Sequence, residues 1–138
     1  MNWLIWALLS AFFAGLTAIL AKIGVQNINS NLATAIRTVV ILIFVWTVAF
    51  ESNHEKISTI GTRTWIFLVL SGLATGLSWL CYFRALQIGE ASQVAPVDKL
   101  SVVMAIALAA IFLHEHLTWH QWLGGFLIVA GAIVIASA

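Results

Sequence analysis

The chain has 138 residues, 62% of them hydrophobic and only 8% charged, with a formal net charge of +1 and a mean hydropathy of +1.06. A water-soluble domain carries about a quarter charged residues, because polar side chains must cover its outside; this composition excludes one, and points to lipid as the outer solvent. The near-neutral balance also lacks the basic patch that a nucleic-acid partner requires, so none is expected.

A hydrocarbon core about 30 Å thick requires about 20 apolar residues in a helix. The first such run covers residues 3–21. Only Met1 and Asn2 precede it, without the basic leader of a secretory signal, so it reads as a mature helix. A polar link follows at residues 25–31, with Gln26, Asn27, Asn29, Ser30 and Asn31, and the second run covers 32–50. The longest loop, 51–64, collects Glu51, His54, Glu55, Lys56 and Arg63 ahead of a third run over 65–86. A short turn at 89–92 leads to the fourth, 93–113, and another at 114–116 to the fifth, 117–136. Links this short make neighbouring helices antiparallel. The expectation is an all-α membrane protein of five transmembrane helices forming one compact domain over residues 1–138.

Details within the runs agree. Trp3, Trp6, Trp65, Trp119 and Trp122 stand at segment starts and Trp46 near an end, where aromatic interface anchors belong. Small residues that allow helix backbones to approach recur as Ala11 and Gly15, as Gly72 and Gly76, and as Gly124, Gly125 and Gly131. The lone Cys81 excludes an intrachain disulfide and reads as a small buried hydrophobe.

Five spans place the termini on opposite sides. Lys56 and Arg63 face Lys22 and Arg84 across the membrane, two against two, or two against four when Arg37 and Lys99 are counted. So small a bias fits either of two arrangements: an N-terminus outside, or dual topology, in which copies insert both ways and pair as an inverted dimer.

From Tyr82 onward the text is specific. Tyr82-Phe83-Arg84-Ala85-Leu86, Gly89-Glu90-Ala91-Ser92, Val94-Ala95-Pro96, Leu113-His114-Glu115 and the stretch from Gly124 to Gly131 resemble the EamA repeat of the drug/metabolite transporter superfamily. Lys22 and Ala35-Ile36-Arg37 fit more loosely, and Pro96-Val97-Asp98-Lys99-Leu100-Ser101 is similar to short, single-repeat members. The resemblance implies a five-helix EamA-like repeat. Most relatives carry two in tandem, the second inverted, with substrate near the midplane between them. A single repeat then implies a homodimer, antiparallel, in the inner cell membrane. One departure bears on how the fourth helix ends: His114 stands where the family often has Gly, the usual left-handed cap.

Ionisable groups inside a membrane cost about 2.5–3.5 kcal/mol on insertion scales, so each needs a reason. Arg37, five residues into the second segment, reads either as a cavity cation for anionic substrates or as a snorkelling side chain. Asp98 and Lys99 follow Pro96, leaving only fourteen uninterrupted apolar residues, 100–113, and a Pro-interrupted segment is a pointer to a binding region. Adjacent residues diverge by about 100° on a helix, so these two are not expected to neutralise each other; a partner such as Arg37 or Glu115 is the alternative. The local reading sets Asp98 at a helix N-terminus and lets Lys99 snorkel. Trp79 and Tyr82, three apart, share a helix face with Thr75 a turn before, and form either an aromatic substrate surface or ordinary packing.

The substrate-binding candidates are therefore Arg37, Thr75, Trp79, Tyr82, Asp98 and Lys99, with Asp98 or Glu115 for proton coupling. His114, Glu115, His116 and His120 are the only cluster with metal-ligand chemistry, but span a helix break and lack a completing ligand, so no metal and no cofactor are expected. No nucleophile–base set appears, so no enzyme is expected. The leading expectation is a secondary transporter exporting or exchanging small metabolites or organic compounds. A four-helix multidrug pump would need an acid in the first helix, and residues 3–21 contain none. The alternative is a non-transporting membrane scaffold or a subunit of a larger complex.

Overall fold

The computed structural model describes residues 2–52 and 57–137; His54, Glu55 and Lys56 of the long loop lie outside the described residues. The elements are α1 (Trp3–Val25), α2 (Ser30–Ser52), a 3-10 turn (Ile57–Thr59), α3 (Thr62–Ile88), α4 (Ala91–Asp98), α5 (Leu100–Phe112) and α6 (Trp119–Ala136). They make five spans long and apolar enough to cross a membrane, α4 and α5 together supplying the fourth over Ala91–Phe112. The chain is an all-α, multi-pass membrane protein. Within each span at most 11% of residues are buried, so lipid or another protein surface must wet the apolar side chains that remain, a requirement water cannot meet.

Helix ends follow their capping chemistry, which accounts for the offsets from the expected boundaries. The Asn2 side chain accepts from the Leu4 amide at 3.2 Å, and the Asn29 side chain from the Asn31 amide at 2.9 Å. Each satisfies an N-terminal donor left over by the helix, and α2 therefore starts at Ser30, two residues early. Thr118 and Gln121 form a reciprocal capping box, Gln121 Oε1 accepting from the Thr118 amide at 2.7 Å, which moves the α6 start from 117 to Trp119. At the other end, the run expected over 3–21 continues as α1 through Val25, and the Lys22 ammonium within it donates to the Leu86 carbonyl at 2.7 Å.

The fourth segment, expected as one helix over 93–113, is two. Pro96 has no amide hydrogen and its ring crowds the preceding turn. Beyond it the Lys99 amide returns to the Pro96 carbonyl at 3.1 Å and the Val102 amide to the Lys99 carbonyl at 3.0 Å, both tight three-residue closures. The segment ends at His114, whose φ of 53° is left-handed. The substitution of His for Gly has therefore kept the glycine-like turn, with the Leu113 and Glu115 amides both returning to the Ala109 carbonyl, at 3.0 and 3.3 Å. An L-residue pays for this conformation with about 1–2 kcal/mol.

The chain divides into two compact units, Met1–Leu20 with Ile88–Ala138, and Ala21–Gln87. In the first, α4 and α5 pack on α6, where Gly125 is buried and a Cβ added to it would touch Val103 at 4.0 Å. The expected role of small residues at close contacts is realised at that position. At Gly15, Gly72, Gly76, Gly124 and Gly131 a Cβ would meet nothing within 4 Å among the described residues. In the second unit Val25, Ala33, Thr34, Phe83 and Leu86 are buried near the end of α3 and the α1–α2 link. Cys81 is exposed on α3 rather than buried, because the buried side of this part of the helix belongs to Phe83 and Leu86.

A candidate substrate site on the second and third helices

Within the Ala21–Gln87 unit, polar groups first fix the ends of the helices. Gln87 Nε2 donates to the carbonyls of Ile28 at 2.8 Å and Val25 at 3.3 Å, and Gln87 Oε1 accepts from Arg84 at 2.8 Å. Together with Lys22 on Leu86, these bonds satisfy carbonyls that helix termini leave without partners and tie the α1–α2 link to the end of α3. Lys22 and Arg84, read from sequence as loop charges, are thus bound to specific acceptors.

Above this clamp stands Arg37, seven residues into α2. Its guanidinium carbon lies 4.4 Å from the centre of the Trp79 ring and 5.4 Å from that of Phe83, within range of the ring quadrupoles. Trp79 and Phe83 are four apart on α3 and so share a face; Phe83 is buried and Trp79 half-buried. From the 1.5 Å rise per residue, these rings stand about 7 and 14 Å inside the end of α3. The Arg37 side chain forms no ion pair or hydrogen bond among the described residues.

Trp79 also closes one side of an open groove of about 410 Å³. The rest of the groove is a stripe of α2: Thr38, Ile41, Leu42, Val45, Trp46 and Ala49. The lining is nearly all apolar, and the Thr38 hydroxyl already donates to the Thr34 carbonyl at 2.7 Å. Arg37 therefore sits against the one aromatic ring that both it and the groove share.

The other expected residues fall as follows. Tyr82 is half-buried beside Phe83, and Thr75 is exposed, its hydroxyl donating to the Ser71 carbonyl of its own helix at 2.9 Å. Asp98 and Lys99 belong to the other unit and do pair, at 3.5 Å. The expectation that they would not is corrected: they meet at the junction between α4 and α5, where the backbone closes in tight three-residue turns. Both side chains are substantially exposed, 36% and 53%, so solvent screening keeps such a pair weak. Glu115 is exposed in the irregular stretch 114–118, and its carboxylate forms no ion pair among the described residues. No group of three or more His, Cys, Asp or Glu able to hold a metal occurs among the described residues.

Sequence reasoning missed Phe83 and the α2 stripe. Phe83 had a readable signal, its spacing of four from Trp79. The stripe had little, since between residues 39 and 49 Thr47 alone is polar.

Residues 1–137 match the EamA-like transporter family. The chain belongs to that family. A transporter of Sinorhizobium sp., called an uncharacterized transporter in the cobO 3' region, is 56% identical, with 98% of this chain and 96% of that protein covered. The uncharacterized transporter YxxF of Bacillus subtilis is 30% identical over 93% of this EamA chain, but the match takes up only 40% of YxxF. A probable 4-amino-4-deoxy-L-arabinose-phosphoundecaprenol flippase subunit, ArnE of Aeromonas salmonicida, is 29% identical over 51% of the chain and 62% of its own length. No solved structure matches. Family and relatives together make this EamA chain a membrane transporter of the drug/metabolite type.

Proposed function

We propose that the chain is a secondary transporter that exports or exchanges small metabolites or organic compounds across the inner cell membrane. The observation that carries this reading is Arg37: a cation inside a spanning helix, 4.4 Å from Trp79, without an ion pair among the described residues and beside an open groove. An intramembrane charge is costly and marks a substrate path more often than a structural need. Arg37, Thr75, Trp79 and Tyr82 are the substrate-binding residues of this proposal, with Asp98 and Lys99 added at the broken fourth span, where transporters expose backbone to cargo. Proton coupling is assigned to Asp98 or Glu115.

The working form is a homodimer of inverted copies covering residues 1–138 each. Two facts support it. The match to YxxF occupies 40% of that protein, leaving room there for a second unit of this size. The positive charges, two against at most four, barely favour one orientation. Reporter fusions at the C-terminus test this directly; a single orientation in every copy refutes the inverted pair.

Purified protein in vesicles should show flux of organic substrates, cut at least tenfold by Arg37→Gln, as expected when a charge-assisted contact of about 1.5–3 kcal/mol is lost. Loss of the pH-gradient dependence in Asp98→Asn, with residual downhill flux, would support coupling at that carboxylate; an unchanged dependence removes it from the mechanism. A second reading, a subunit of a larger complex, draws on the relative named as a flippase subunit. It predicts copurification with another membrane protein and no flux from the chain alone.

A further inference from the structure

We infer that the substrate of the groove on α2 is a single-tailed amphiphilic anion, its acid group on Arg37 and its alkyl chain along the helix. This rests on the transporter reading and adds the class of cargo. Three observations lead to it.

The first is the lining. Ile41, Leu42, Val45, Ala49 and the faces of Trp46 and Trp79 offer almost nothing to a hydrated solute, and the Thr38 hydroxyl is taken by its own helix. A small polar metabolite would shed water there without replacement bonds, which is costly. An alkyl chain loses nothing.

The second is size. From Thr38 to Ala49 the groove runs eleven residues of α2, about 16 Å at 1.5 Å per residue. Its volume of about 410 Å³ holds roughly a dozen groups the size of a methylene or a water molecule, at about 30 Å³ each. That is one extended chain of matching length.

The third is charge. Arg37 adjoins Thr38 in sequence and shares Trp79 with the groove, so the cation stands at the Thr38 end. The rings of Trp79 and Phe83 stand 4.4 and 5.4 Å from the guanidinium carbon, and a ring contact of this kind uses none of the N–H donors that a planar fork offers to a carboxylate or phosphate through two parallel bonds. Tail selectivity alone would be weak, because lipid already dissolves alkyl chains; discrimination must come from the head. A neutral amphiphile should therefore compete poorly with its anionic counterpart.

Spin-labelled stearate and its neutral methyl ester, added to the whole protein in vesicles of zwitterionic lipid at a pH where the acid is ionised, measure this by the fraction of label held immobile. The expected result is an association ratio of about tenfold in favour of the anion, as one charge-assisted pair supplies. In Arg37→Gln that ratio falls to about one. In Ala49→Phe, which fills the far end of the groove, both probes lose association while the ratio stays. A ratio near one in the natural protein, or one unchanged in Arg37→Gln, overturns the inference. So does a groove occupied by a second copy, seen as absence of immobile probe together with cross-linking of Val45→Cys in a Cys81→Ser background. The two readings fail separately. Flux of a water-soluble compound with a ratio near one leaves the transporter and removes the amphiphile. A tenfold ratio without movement of the probe between leaflets leaves the binding site and removes transport.

Discussion

Removing the Trp79 ring tests whether Arg37 is held in the membrane by the aromatic faces of α3. The guanidinium lies 4.4 Å from Trp79 and 5.4 Å from Phe83, in a half-buried setting where a cation–π contact contributes about 1–2 kcal/mol. The single substitutions do not report this value. Arg37→Met keeps the apolar stem but also relieves the cost of a charge in the spanning segment, about 2.5–3.5 kcal/mol on insertion scales, so its net sign is set by two opposing terms. Trp79→Leu loses packing as well as the contact. The double-mutant cycle cancels both side effects. Reversible unfolding in mixed micelles, followed by far-ultraviolet circular dichroism, should give a coupling energy of about 1 kcal/mol, with part of the interaction surviving on Phe83. Phe83 itself is unsuited to the cycle: it is 3% exposed, and its truncation costs about 3–5 kcal/mol in packing alone. A coupling below about 0.3 kcal/mol, the ordinary error of additivity, would refute the assignment and return Arg37 to the snorkelling reading.

Other consequences are open to the same unfolding assay. His114→Gly should stabilise the protein by up to about 1 kcal/mol, since glycine takes the φ of 53° without the left-handed penalty, while His114→Val should destabilise it. Thr118→Ala should cost about 1 kcal/mol by opening the capping box of α6, and Thr118→Ser should restore most of it. Gln87→Leu leaves the Val25 and Ile28 carbonyls without their donor; a loss of about 1–3 kcal/mol and faster hydrogen exchange across the α1–α2 link are expected. Asp98→Asn breaks an exposed pair and should change stability by less than about 1 kcal/mol, whatever it does to transport.

The resemblance read from Tyr82 to Gly131 led to the family that residues 1–137 match. That stretch is legible because capping and turn chemistry are local: a Gly-Glu-Ala-Ser turn, a proline and a helix terminus each constrain their own few residues. His114 shows the limit of such reading. The missing glycine suggested a changed helix end, yet the backbone there kept its left-handed turn, because the neighbouring amides still return to the Ala109 carbonyl.

Composition alone determined that five helices would seek lipid, since burial of apolar surface depends on how much there is and not on where it folds. Helix number and approximate length followed from the thickness a span must cross. What only the tertiary structure decided is which groups meet. The side on which Arg37 finds Trp79 and Phe83, the stripe of α2 that lines the groove, and the pairing of Asp98 with Lys99 depend on contacts between helices or on a local break in one. Where a helix is apolar nearly all round, hydrophobic periodicity carries little information about facing, and spacing such as that of Trp79 and Phe83 names a shared face without naming what meets it.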